Sequence, residues 1–151
     1  MSVQETTRID DAVIAAWNAH DADKFVSYCA DDITWYDVTT PQPLKGKDGA
    51  RQFFQGWVTA FPDLNLRVKN RLVTEDQVAD EIEFSGTDKG PIQGPPGTPP
   101  LPATGKKVTN AKGTYFSRIR DGKVVEVHTY PDMAGLLMQL GMMPSAPQGK
   151  M

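Results

Sequence analysis

The 151-residue chain has one cysteine and two histidines, so it holds few of the side chains that most often ligate transition metals or attack substrates. Cys29 alone can form neither an intrachain disulfide nor a thiolate metal cluster, and its expected place on a helix with no base beside it gives a thiol nucleophile no support. With His20 and His128 the only imidazoles and no dense acidic cluster, no metal site is expected. The glycines around Pro95-Pro-Gly97 and Thr104-Gly105 lack the strand-loop-helix setting and the Gly-Lys-Ser/Thr ending of a phosphate loop, and no cofactor is expected. Apolar runs fall short of the roughly 20 residues of a membrane span. The opening stretch, residues 1–11, lacks the basic and apolar regions of a signal peptide, so a cytoplasmic protein is expected. A net charge of −3 with no Lys/Arg cluster leaves no electrostatic footprint for nucleic acid.

What is present is enough for one core. A hydrophobic content of 39% over this length suits a single domain, expected over residues 1–143 with a disordered tail at 144–151. Ile9, Val13, Ala16 and Trp17 recur at helical spacing over residues 6–19. Asp21 can cap a second helix over residues 22–30, whose Phe25, Tyr28 and Cys29 share a stripe. Residues 33–38 are rich in strand formers and end at Pro41 and Pro43. A third helix, starting near Asp48, carries Phe53, Phe54, Trp57 and Phe61 before Pro62 stops it. Leu64, Leu66 and Val68 alternate as a half-buried strand does, and residues 77–85 form the next. Half of the 12 prolines then fall between Pro91 and Pro102, which predicts a loop, either ordered or a mobile flap over an opening. Strand character resumes over residues 106–120. Strands that cluster late and pair as hairpins argue for an α+β fold, a strongly bent, mostly antiparallel sheet with helices on its concave side and a conical space between them.

The last strand and its exit carry most of the candidate chemistry. Asp121-Gly122 marks a hairpin turn, and residues 123–130 form a strand with Val124, Glu126, His128 and Tyr130 on one face and Val125, Val127 and Thr129 on the other. The first face is polar and aromatic; the second reads as plain packing. Pro131 ends the ladder, and Asp132 opens a helix over residues 133–140 that Gly141 closes. A carboxylate at such a junction is either a helix cap or a positioned base. As a base, Asp132 would remove a proton from carbon next to a carbonyl, with His128 hydrogen-bonding the oxyanion or returning the proton. Otherwise Asp132 only caps and His128 fills the core. Strand positions four apart stand roughly 13 Å apart, so the two can meet only through the bend at Pro131. Glu81 and Glu83 share a strand face, and the cost of burying two like charges makes a solvated face their expected setting. Trp35 and Asp37 alternate against Tyr36, and Tyr36 is expected to line the pocket ahead of Asp37. The stripe from Phe53 to Phe61 reads first as core, with an excess that suits a planar apolar ligand.

The ending Asp121-Gly-Lys-Val-Val-Glu126, then Asp132, then Leu136-Leu-Met-Gln-Leu-Gly141 resembles that of the SnoaL-like polyketide cyclases, within the nuclear-transport-factor-2-like cone fold. Ala30-Asp-Asp-Ile33, Gly46, Phe61-Pro-Asp-Leu64, Gly86-Thr87 and Ala103-Thr-Gly-Lys106 extend the resemblance over nearly the whole chain. It implies a cofactor-independent cyclase or isomerase, with Asp132 as the general base of an intramolecular aldol closure on an apolar or aromatic carbonyl compound. It also implies a neighbouring group such as His128 as oxyanion partner, and a homodimer through the outer face of the sheet. Tyr36, Trp57, Tyr130, Trp35 and Glu83 are then the candidate substrate contacts. The chain departs from the family pattern where His128 replaces a frequent Trp, where Asp88 replaces a frequent His, and in the length of its proline loop. The rival readings are ketosteroid-type isomerisation, epoxide hydrolysis of the limonene type, and a non-catalytic small-molecule-binding protein. The hydrolases use an Asp–Arg–Asp arrangement, and no Arg stands beside Glu81 or Glu83.

Overall fold

The computed structural model describes residues 2–93 and 97–144. The ten elements follow in the order α1 (Val3–Asn18), α2 (Ala22–Ser27), β1 (Cys29–Asp37), β2 (Leu44–Lys45), α3 (Gly46–Ala60), β3 (Asn65–Val73), β4 (Gln77–Thr87), β5 (Lys107–Arg120), β6 (Lys123–Pro131) and α4 (Met133–Gln139). One six-stranded sheet runs β2-β1-β6-β5-β4-β3. Every neighbouring pair is antiparallel except β1 with β6, whose parallel pairing is allowed by the long connection through the rest of the sheet. The sheet curls without closing, a cone of mixed α+β class, and bulges in the β3/β4, β4/β5 and β5/β6 ladders add local twist to its long strands.

Local chemistry explains most boundaries. Ser2 accepts from Glu5 N at 3.1 Å, so α1 begins three residues before the sequence suggests. Asp21 caps α2 through Lys24 N at 3.0 Å as expected, but α2 stops at Ser27 because Cys29 already belongs to β1, four residues ahead of the anticipated strand start. The Asp121-Gly122 turn has φ of 51° and 76°, the paired positive angles that a tight hairpin needs. Helix α1 is stitched to the free edge of β3. Asn18 exchanges two hydrogen bonds with the Leu66 backbone (3.0 and 2.7 Å), and His20 Nε2 meets Leu64 O at 2.8 Å, which gives that imidazole a structural task.

The core lies between helices and sheet. Phe25 stacks on Phe54 at 5.1 Å, and Trp17 and Trp35 close on Phe25 edge-on at 5.4 and 5.8 Å. Described parts of the proline-rich loop are docked. Asp88 is buried and accepts from Thr104 N and Oγ1 (3.0 and 2.9 Å), Ile92 and Leu101 exchange backbone hydrogen bonds, and Lys89 and Gly90 donate to Ala60 O at the end of α3. The expectations for Pro95 and Pro96 and for a tail at residues 145–151 lie outside the described residues. Among those described, no helix is long and apolar enough to cross a membrane.

Phe25 joins α2 to both α3 and β1, so truncating it opens a cavity that three elements cannot jointly fill. Phe25→Ala should lower unfolding free energy by about 3–5 kcal/mol, read from the urea midpoint at unchanged m-value.

Candidate active site

Between the helices and the concave face of the sheet lies a cavity of about 130 Å³. Its wall is mostly apolar, and Trp17, Phe25, Trp35, Phe53, Trp57 and Phe84 form its aromatic part. A cavity of roughly 150 Å³ holds benzene, so the enclosed part suits one ring. Asp132 borders this space and is exposed, which places it at the mouth. Its Oδ1 accepts from Gly135 N at 2.9 Å, capping α4. A Cβ on residue 135 would stand 2.3 Å from Asp132 Oδ2, so glycine there leaves the room that the carboxylate occupies. Trp57 and Trp35 line the cavity too, and Trp35 Nε1 donates to Thr129 Oγ1 at 3.2 Å.

Strand alternation sends the other candidates elsewhere. On β6 it is Val127 and Thr129 that face the cavity, together with Val124, which the bulge beside Ile119 brings to the same side. The face that reads as plain packing is therefore the cavity wall. His128 lies on the convex side, stacked on Tyr36 at 4.6 Å and bonded through Nε2 to Glu126 Oε2 at 2.7 Å. It does not converge with Asp132 on the cavity, because the bend at Pro131 turns the chain without turning residue 128 inward. Tyr36 is 43% exposed on the convex side, and its neighbours Trp35 and Asp37 take the cavity positions, the reverse of the expected preference. The Tyr130 ring packs edge-on against Phe116 at 6.2 Å, although residue 130 itself borders the mouth. Glu83, also a candidate substrate contact, is not part of the cavity lining; it lies 3.3 Å from Lys69 and 3.9 Å from Arg67, its partner across the β3/β4 ladder, so an Arg does stand beside it, away from the cavity. Buried Asp88 lies away from the cavity lining. Burial pushes the Cys29 thiol up to about 11, which leaves little thiolate at neutral pH.

A polar row that the sequence reading passed over crosses the concave face. Asp37 pairs in register with Thr129, Thr129 with Tyr115, Tyr115 with Asp80, and Asp80 with Arg71, one residue from each of five strands. Thr129 Oγ1 donates to Asp37 Oδ2 at 2.5 Å, while Thr39 N and Oγ1 both donate to Asp37 Oδ1. Arg71 holds Asp80 with Nε at 2.8 Å and Nη2 at 3.2 Å. From α1, Asp10 brings Oδ2 within 2.7 Å of Arg71 Nη2, and Asp11 meets Nη1 at 2.6 Å. The Tyr115 hydroxyl lies 2.7 Å from Asp10 Oδ1 and 2.6 Å from Asp80 Oδ2. Asp10 is 2% exposed and Asp80 0%.

Burial, and then the adjoining Asp80 carboxylate, push the Asp10 carboxyl from its ordinary range up to about 8. Burial acts on Asp80 in the same sense, yet hydrogen bonds with Asp10, Arg71 and Tyr115 and the guanidinium charge hold it below the usual carboxylate value. Burial and the two carboxylates raise the Tyr115 phenol well above its normal range. An Asp–Arg–Asp grouping thus exists at Asp10, Arg71 and Asp80, but Arg71 and Asp80 are not part of the cavity lining, whereas Asp10 and Tyr115 are. The available signals were a carboxylate among Val78, Ile82 and Phe84, and Asp10 three residues before Val13 on the buried side of α1. Among the described residues no group of three or more His, Cys, Asp or Glu side chains is arranged to hold a metal ion.

With this geometry in hand, comparison with known proteins is decisive for the family. The model of the SnoaL-like polyketide cyclases matches residues 7–140. The chain belongs to that family. AclR of Streptomyces galilaeus, described as a candidate hydroxylase, shares 31% identity, with 97% of this chain and 87% of AclR covered at a TM-score of 0.81. TsrD of Streptomyces laurentii shares 24% over 95% and 99% at 0.77. IdmH of Streptomyces antibioticus, described as a candidate polyketide cyclase, shares 24% over 89% and 97% at 0.71. The last two show the fold alone. A search of curated proteins gives no match. Membership of the family supports a cyclase-type function.

The raised Asp10 sets a pH dependence of stability. Between about pH 4 and pH 8 the folded chain keeps the Asp10 proton while the unfolded chain loses it, so this group's stabilisation is full at low pH and is lost as pH rises through 8. The slope is about 1.4 kcal/mol per pH unit at most. Urea unfolding at pH 5, 6, 7 and 8 should show stability falling, and Asp10→Asn should flatten the fall.

Proposed function

We propose that the protein is a cofactor-independent cyclase in which Asp132 abstracts a proton from carbon next to a carbonyl and so starts an aldol-type ring closure of a polyketide-like or other apolar carbonyl substrate. The observation that carries this reading is the position of Asp132, a carboxylate at the mouth of a largely apolar cavity, capping α4 through one oxygen and leaving the other to accept a proton. Strand alternation removes His128 from the cavity and leaves Asp132 without that partner. The family supports the reaction class, and the one-ring size of the enclosed space supports a substrate whose reacting segment enters while its remainder stays outside.

Capping and base catalysis can be separated, because Asn caps a helix about as well as Asp while its amide accepts no proton at neutral pH. Asp132→Asn should keep the wild-type melting temperature and lower the rate of cyclisation of a chain bearing 1,3-dicarbonyl units by about 10²- to 10⁴-fold. Gly135→Ala, which pushes the carboxylate aside while retaining it, should lower kcat in the same direction. Wild-type turnover by a folded Asp132→Asn protein rules Asp132 out as the base.

The proposed assembly is a homodimer through the convex face of the sheet. Tyr36, Phe116 and Tyr130 are 43%, 47% and 50% exposed there, an aromatic patch in the setting of an interface. Light scattering should give twice the 16.6 kDa of the chain, and Phe116→Asp should return it to the monomer mass. A monomeric wild type discards the dimer.

A further inference from the structure

The Tyr115 hydroxyl has one proton and stands at hydrogen-bond distance from two carboxylate oxygens, Asp10 Oδ1 and Asp80 Oδ2. Two short O···O contacts to one hydroxyl need two protons, so one carboxyl must itself carry hydrogen. Arg71 holds Asp80 through two N–H groups, which favours the ionised form of Asp80. The extra proton therefore belongs to Asp10. The resulting chain runs from the Asp10 carboxyl to the Tyr115 oxygen and from the Tyr115 hydroxyl to Asp80. Asp10 Oδ2, buried and 2.7 Å from Arg71 Nη2, makes no aligned hydrogen bond there or elsewhere.

Asp10 and Tyr115 both line the cavity, among walls that are otherwise largely apolar. We propose that these two side chains form a subsite for an uncharged ligand oxygen, foremost a ketone or aldehyde carbonyl, with the Asp10 carboxyl hydroxyl as hydrogen-bond donor. Asp10 can turn its proton from the phenol to the ligand, its contact with the Tyr115 oxygen lengthening as the shared hydrogen leaves, while Tyr115 continues to donate to Asp80, so accepting a ligand leaves no buried donor unpaired. A carboxylic acid held neutral in an apolar site is a strong donor of this kind. The charged and titratable groups facing it are Arg71 on β3, Asp80 on β4, Tyr115 on β5 and Asp11 on its own helix. A carboxylate ligand would meet the Asp80 charge and is disfavoured. The subsite rests on reading the cavity as the ligand site, and it is independent of Asp132 as base.

Acetophenone and ethylbenzene, which differ by one oxygen, test it on the wild-type protein. Their dissociation constants would be read by ligand-observed NMR at pH 6 and pH 9, with circular dichroism establishing a folded chain at both. Acetophenone should bind about tenfold more weakly at pH 9, where about a tenth of Asp10 keeps its proton, and ethylbenzene should change less than twofold. Asp10→Asn should bind acetophenone equally at the two pH values. Equal pH ratios for ketone and hydrocarbon, or no pH effect on the ketone, overturn the subsite while leaving the cavity as a ligand site. Failure of both ligands to bind at either pH in the folded protein removes the cavity reading itself, and the subsite with it.

Discussion

The guanidinium of Arg71 is the contact on which the inner architecture depends. It faces three carboxylates, those of Asp80, Asp10 and Asp11, from two different elements. Two of the three are almost wholly buried, and buried charge persists only where it is paired or neutralised. Arg71 pairs with Asp80, and burial together with the proximity of Asp80 keeps Asp10 protonated, so one cation and one proton settle a cluster that would otherwise carry uncompensated negative charge. The same contact fixes α1. Asp10 and Asp11 anchor the helix to β3 and β4 at one point, while Asn18 and His20 tie its end to the β3 edge. A helix held at both places cannot slide, so the cavity between it and the sheet keeps a defined shape.

Alternation along the strands divides that sheet into two surfaces with different chemistry. In one row, Asp37, Thr129, Tyr115, Asp80 and Arg71 point toward the helices. In the next, Tyr36, His128 and Phe116 point away. A one-residue slip would exchange the two sets, placing a guanidinium and carboxylates outside and aromatic rings against α1. The bulge beside Ile119 makes a local exception by carrying Val124 to the cavity side.

Much of the fold was legible because its signals are local. The Asp21 and Asp132 caps, the Asp121-Gly122 turn and the Phe53 to Phe61 stripe each act through neighbours in the chain, and they indicated the order of elements and the class, whereas the Ser2 cap that starts α1 went unread. The two-residue strand β2 carried no such signal, and the start of β1 was hidden under the helical stripe ending at Cys29. The site was less legible because facing is a tertiary property. Alternation correctly opposed His128 to Thr129 and Tyr36 to Asp37, but nothing within a strand says which side the helices cover. Polarity on the His128 face suggested chemistry, and an interface-like surface produces the same pattern. Asp10, Arg71, Asp80 and Tyr115 lie on four elements spread over more than a hundred residues of sequence. Their encounter depends on sheet order, which periodicity does not contain.

In the proposed reaction the placement of the two acidic groups follows from what each must exchange. A base that takes a proton from carbon has to release it before the next turnover, and Asp132 at the open mouth can pass it to water. A donor to a carbonyl oxygen has the opposite need, since its hydrogen bond counts for most where water cannot compete and the local dielectric is low. Asp10, on the buried side of α1, meets that need. If the two were exchanged, the buried carboxyl would already hold a proton at neutral pH and could accept none, and the exposed one would donate to a ligand that water solvates equally well. The same residue type at two depths thus supports two different tasks, with burial and the Arg71–Asp80 pair deciding which carboxyl keeps its hydrogen.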